Sequence, residues 1–196
     1  MRLLFLTAIF LALLESTAYA SNLTSFSEMD FSLSVVSKDL TQQSVSQTFQ
    51  DSRGALWFVT QEGLNRYDGH NLENYRYLRS DSNSLSSNLV TKITEDHDGI
   101  LWISTIGGGL NYYNPITNSF KALLSDPNNR ASPYSNDILS IFTDSAGMIW
   151  LGYINGFSSF NPRTRSFRHY ISGSENLPYF GEVLDFAQSK DGAVWV

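Results

Sequence analysis

Short apolar runs separated by turn residues fill this chain, and residues 88–123 show the pattern most clearly. Residues 89–94 (LVTKIT) are rich in β-branched side chains and partly alternate, which predicts a strand. Asp96-His97-Asp98-Gly99 then predicts a tight turn, because Asp side chains cap such turns and glycine accepts positive φ. Residues 100–103 (ILWI) are apolar without alternation, as in a strand buried on both faces. Gly107-Gly108-Gly109 forms a second turn and residues 110–113 (LNYY) a third strand. Asn114-Pro115 breaks that strand, and residues 119–123 (SFKAL) supply a fourth.

The same layout recurs along the chain. Trp57, Trp102, Trp150 and Trp195 stand 45, 48 and 45 residues apart, in the phrases DSRGALW, DHDGILW, DSAGMIW and SKDGAVW. Gly54, Gly99, Gly147 and Gly192 each precede the tryptophan by three positions; Val45, Val90, Ile138 and Val183 precede it by twelve. This is a repeat protein. Four antiparallel strands per unit of about 45 residues predict an all-β fold, a β-propeller of four-stranded antiparallel blades. About three and a half blades are present, so the ring is incomplete. The spans are 44–78 for blade 1, 88–123 for blade 2 and 136–171 for blade 3, with 181–196 starting blade 4. A blade cannot cover both its faces alone, so each tryptophan is expected to be a wedge between neighbours. A row of ligand-stacking platforms is the other reading of the four rings.

Polar linkers separate the units at residues 79–87, 125–135 and 172–181, and such loops line one end of a propeller. Residues 21–43 form an N-terminal segment in which 31–36 (FSLSVV) is a candidate ring-closing strand. Residues 1–20 read as a cleaved signal peptide, with Arg2, an apolar run too short to span a membrane comfortably, and Ala18-Tyr19-Ala20 before Ser21.

Composition narrows the function classes. The net charge is −6 with no basic stripe, which argues against nucleic-acid binding. The absence of cysteine excludes thiol catalysis, disulfides and Cys-ligated zinc. Asp51, Asp96, Asp98, Asp144 and Asp191 recur in turns, where capping explains them better than a paired acid/base site. His70, His97 and His169 have no second histidine at ligand spacing, and His97 reads as an exposed turn residue. The glycine triplet lacks the Lys-Ser/Thr of a phosphate loop, and no nucleophile elbow occurs. No catalytic residue, metal site or cofactor is therefore expected, and no ligand-contact residue can be named.

Residues 50–69 (QDSRGALWFVTQEGLNRYDG) and 84–115 (SLSSNLVTKITEDHDGILWISTIGGGLNYYNP) resemble the two-component regulator propeller repeat. Residues 136–162 are similar more loosely, with Phe157 and Phe160 where Leu and Tyr are commoner, and 181–196 begin another unit. The resemblance implies the periplasmic, ligand-sensing propeller of a bacterial inner-membrane receptor. It also implies a small-molecule or oligosaccharide ligand and a homodimeric full receptor. Further propeller, transmembrane and output modules would follow, the output being a histidine kinase or a diguanylate cyclase. Three and a fraction blades leave apolar faces and sheet edges open, so the chain is expected to be the N-terminal fragment of a longer sensor. The alternatives are a secreted propeller lyase or glycosidase fragment, and a periplasmic scaffold without a ligand.

Overall fold

The computed structural model describes residues 39–173 and 178–196. The expected signal peptide and the candidate ring-closing strand at 31–36 lie outside the described residues.

Three four-stranded antiparallel sheets follow one another along the chain. The first holds β1 (Val45–Gln50), β2 (Leu56–Thr60), β3 (Gly63–Tyr67) and β4 (Leu72–Tyr75). The second holds β5 (Val90–Glu95), β6 (Leu101–Thr105), β7 (Leu110–Asn114) and β8 (Ser119–Leu123). The third holds β9 (Ser140–Thr143), β10 (Ile149–Tyr153), β11 (Gly156–Asn161) and β12 (Ser166–Ile171). A two-stranded ribbon, β13 (Ala187–Gln188) and β14 (Val194–Trp195), begins a fourth. In each full sheet the strands pair in chain order, so each is an up-and-down meander. This is a propeller arc of four-stranded antiparallel blades.

Sequence order explains the layout. The first strand of each blade lies at the inner rim and the fourth at the outer edge. In blade 2 the second strand is most deeply covered: all five residues of β6 are buried, which accounts for its unalternating apolar run. Hydrogen bonding begins β5 at Val90 and β6 at Leu101, one residue later than the apolar pattern suggests, and carries β6 on to Thr105.

Tight turns join first and second strands. In blade 2 the Asp96 N–H donates to the Ile100 carbonyl (3.0 Å) and the Gly99 N–H to the Asp96 carbonyl (3.0 Å). Gly99 has φ +74°, a backbone conformation that costs other residues steric strain. The other repeat glycines, Gly54, Gly147 and Gly192, share this conformation at φ +89°, +79° and +91°.

The core lies between blades. Trp57, Val59 and Leu64 of blade 1 pack with Val90, Ile93, Leu101, Ile103, Tyr113 and Phe120 of blade 2. Trp102 and Leu110 of blade 2 pack with Ile138, Ile141, Ile149, Leu151 and Phe160 of blade 3. Both of these tryptophans meet an aromatic of the next blade edge-on, Trp57 against Tyr113 (5.1 Å) and Trp102 against Phe160 (5.2 Å). Tyr113 and Phe160 hold one frame position, since Leu101 pairs with Tyr113 and Ile149 with Phe160.

The wedge reading applies in full to two of the four tryptophans. Trp57 and Trp102 are 0% and 4% exposed; Trp150 is half-buried, reaching Phe186 at 6.4 Å; Trp195 is 67% exposed. Trp195 is exposed because, among the described residues, no sheet packs on its far side. The platform reading fails for Trp57 and Trp102, whose rings have no face left open.

Candidate functional site

Strand direction sorts the chemistry onto two faces. The turns from first to second and from third to fourth strands lie on one face. The turns from second to third strands, with the linkers between blades, lie on the other.

On the first face the repeated aspartates do more than cap turns. Asp51 Oδ2 accepts from Trp57 Nε1 (2.8 Å), Asp96 Oδ2 from Trp102 Nε1 (2.7 Å) and Asp144 Oδ2 from Trp150 Nε1 (2.7 Å). Each Oδ1 accepts two turn N–H groups, from Arg53 and Ala55, from Asp98 and Ile100, or from Ala146 and Met148. Three charge-assisted bonds thus satisfy each nearly buried carboxylate without a cation. The bond across six residues is the local feature that sequence reasoning missed; the invariant spacing of Asp and Trp in the first three phrases is its signal. Ser189 stands at the equivalent position of the fourth phrase, and there Asp191 accepts from the Ser189 hydroxyl and the Ala193 N–H. The Ser189 hydroxyl and that N–H hold the Asp191 carboxyl below its usual range.

Asp98 donates its N–H to Asp96 and its side chain is exposed beside Arg163 and Arg165. His97 is exposed, as read from the sequence, and leans over Gly147 of the next turn. His70 is exposed in the outer turn of blade 1, where Asp68 Oδ1 accepts from its N–H (2.9 Å).

The inner rim is polar. Gln47 lays its side-chain amide along β5 as an extra ladder rung, accepting from Ile93 N–H (2.8 Å) and donating to the Ile93 carbonyl (3.1 Å). Ser140 Oγ donates to the Val183 carbonyl (2.7 Å). Lys92 of β5 pairs with Asp185, two residues before β13 (2.6 Å). The hydrogen bond from Lys92 holds the Asp185 carboxyl below its usual range. A carboxyl whose pKa falls on folding stabilises above its unfolded pKa, and that contribution is lost as pH drops through the folded value. Asp185 is mostly exposed, so Asp185→Asn should cost under about 1 kcal/mol at neutral pH and nothing in strong acid. Urea midpoints of the two proteins at both pH values check this.

The linker face carries a second repeated device. Asn65 Oδ1 accepts from Thr41 N–H (2.8 Å) and its Nδ2 donates to Thr41 Oγ1 (3.0 Å). Asn111 does the same for Ser86, at 3.1 and 2.7 Å. Both asparagines are fully buried, and each fixes the incoming linker on its own blade. Strand register puts Ser158 of blade 3 in the asparagine position and Tyr153 where blades 1 and 2 have Thr60 and Thr105. The Tyr153 hydroxyl accepts the Tyr134 N–H at 3.4 Å, and Ser158 Oγ bonds His169 Nδ1 at 2.7 Å. Burial pushes the Tyr153 phenol up to about 12 and pushes the His169 imidazole below its usual value, so both are neutral at neutral pH.

Beside this altered lock opens a cleft of about 470 Å³ lined by the second linker and His169. Its exposed groups include Tyr134 and Arg130. Nothing in the repeat pattern alone marks this cleft, because it depends on residues that leave the frame.

The two-component regulator propeller family model matches residues 84–107, the first linker's end through β6. A histidine kinase of Formosa agariphila is 47% identical over 47 residues, which is 24% of this chain and 3% of that protein. The extracellular domain of a hybrid two-component system from B. thetaiotaomicron superposes with a TM-score of 0.71 at 28% identity, over 84% of this chain and 23% of that one. A second such domain from the same organism shares the fold, with a TM-score of 0.61 and 24% identity over 80% of this chain and 22% of that one. The chain therefore spans less than a quarter of the matched structures and a small part of the kinase. Residues 84–107 thus match the two-component regulator propeller repeat, and the chain is laid out as an all-β arc of four-stranded antiparallel blades.

Proposed function

We propose that this chain is the periplasmic, ligand-sensing propeller region of a membrane-anchored bacterial receptor, with no catalytic step of its own. The observation that carries the reading is the fit of 84% of the chain to the extracellular domain of a hybrid two-component system. In the whole receptor, further propeller and transmembrane modules follow, and the output is a histidine kinase or a diguanylate cyclase. A small molecule or oligosaccharide favours one packing of blades or of two protomers, and the membrane helix transmits that population shift. The glycosidase reading loses support because Asp51, Asp96 and Asp144 are each committed to a tryptophan and a turn.

Two arms test this, one in cells and one on purified protein. Alkaline phosphatase fused after Gly173 should be active, as an exported enzyme is. A purified extracellular region should melt higher with at least one member of an oligosaccharide panel, since a ligand bound only to the folded state stabilises it. An inactive fusion sinks the location; an active fusion with no stabilising ligand favours the scaffold reading over sensing.

A further inference from the structure

The outer edge of blade 2 is covered by the chain itself. The Phe120 N–H of β8 donates to the Asn83 carbonyl (2.7 Å), and Lys121 Nζ donates to Asn83 Oδ1 (2.7 Å). The first linker thus presents one backbone carbonyl and one side-chain oxygen to a strand edge that would otherwise be bare.

Among the described residues, blade 3 repeats the edge without the cover. Register places Phe167 where blade 2 has Phe120, and Arg168 where it has Lys121. The second linker is folded like the first. Ser84 Oγ accepts from Leu78 N–H and donates to the Asp81 carbonyl, and Ser132 Oγ bonds Asp126 N–H and the Asn129 carbonyl in the same way. Ala131, however, holds the position of Asn83 and has no side-chain oxygen to offer. Among the described residues no hydrogen bond joins residues 125–135 to 166–170. A cleft of about 470 Å³ lies between the second linker and His169 of β12.

The edge is also charged against the trend of the chain. Net charge is −6, yet Arg130 and Arg168 are both exposed here. Arg168 lies over the Tyr170 ring (5.1 Å), which stacks on Phe157 (4.8 Å). Replacing Lys by Arg exchanges a point charge for a planar fork suited to a carboxylate.

We propose that the outer edge of β12 docks an extended acidic segment of a partner polypeptide. The segment supplies to blade 3 what Asn83 supplies to blade 2: a carbonyl for the Phe167 N–H and a carboxylate for Arg168. This is strand addition, with the ladder giving affinity and the arginine giving side-chain choice. It stands apart from the sensing role proposed above and does not need a soluble ligand.

A fluorescein-labelled peptide copying residues 80–87, with Asp at the Asn83 place, is the probe, titrated with the whole chain and followed by anisotropy. Saturable binding is expected, weakened by salt and at least about tenfold by Arg168→Glu, with a smaller loss for Arg168→Gln. The Phe167 amide proton resonance should move downfield on binding. Arg168 is exposed, so the variants should keep the far-ultraviolet circular dichroism of the parent. The proposal is overturned by absence of binding, by equal binding of a peptide with Ala at that place, or by binding indifferent to Arg168→Glu. A β12 edge closed by a second copy of the chain, seen as self-association that the peptide does not compete, would also overturn it.

Discussion

Trp57→Ala is expected to destabilise the folded chain by about 3–5 kcal/mol, the usual cost of emptying a buried indole site. Trp57 is fully buried between blades, stacks on Tyr75 (5.8 Å), meets Tyr113 edge-on (5.1 Å) and donates to Asp51. Removing it opens a cavity, unpairs Asp51 Oδ2 and loosens blade 1 from blade 2 together. The graded form of the prediction is the sharper one. Losses should fall in the order Trp57, Trp102, Trp150, Trp195, following exposure that rises from 0% at Trp57 to 67% at Trp195. Urea unfolding of the four alanine variants, in the longest polypeptide containing the chain, measures the series. Equal losses at Trp57 and Trp195 would refute the inter-blade account, because the two share a Gly-Ala-aliphatic-Trp phrase and differ in packing and in the bond to Asp51, whose place Ser189 takes in the fourth phrase.

The second large effect belongs to Asp96. Asp96→Ala leaves the Trp102 Nε1–H without an acceptor in a buried site, and frees two turn N–H groups that water can reach. The expected cost is about 2–4 kcal/mol, mostly from the orphaned indole donor. Asp96→Asn keeps one oxygen and turns an NH₂ toward one of the former donors, so its cost should be about 1–3 kcal/mol. Asp98→Ala, two residues away and exposed, should stay within about 0.5 kcal/mol. A thermal melt of the three variants separates the roles: Asp98→Ala as damaging as Asp96→Ala would mean that the turn's charge, not its bond to Trp102, matters.

The carboxylate–indole bond shows how far reading residues can go. The spacing of Asp and Trp is visible in the phrases DSRGALW, DHDGILW and DSAGMIW. That the two side chains meet is not visible, because it requires the turn to fold the second strand back under the first. The glycine at positive φ does that, and the glycine was legible. Tyr113 and Phe160 were legible only as strand residues; their role as the surfaces receiving Trp57 and Trp102 appears once successive blades are stacked.

The linker face divides in the same way. Where the first two polar linkers enter their blades, Asn88 accepts the Tyr77 N–H (2.7 Å) as Asn136 accepts that of Ser125 (2.8 Å). Those bonds are local, so a local pattern betrays them. Tyr134, Tyr153, Ser158 and His169 are spread over 36 positions and come from a linker and three strands. No window of sequence joins them.

By itself the sequence determined the repeat, its four strands and three turns, the positions needing glycine, and the resemblance to the two-component regulator propeller repeat. All of these are written in spacings shorter than one blade, where strand periodicity and turn chemistry act directly on neighbouring residues. Tertiary structure alone decided which tryptophans are core, which carboxylates are committed, and where blade 3 departs from its sisters. Those properties depend on what packs against a residue from another blade. A side chain in a similar phrase, like Trp57 in GALW or Trp195 in GAVW, is wedge or surface according to whether a further sheet covers it.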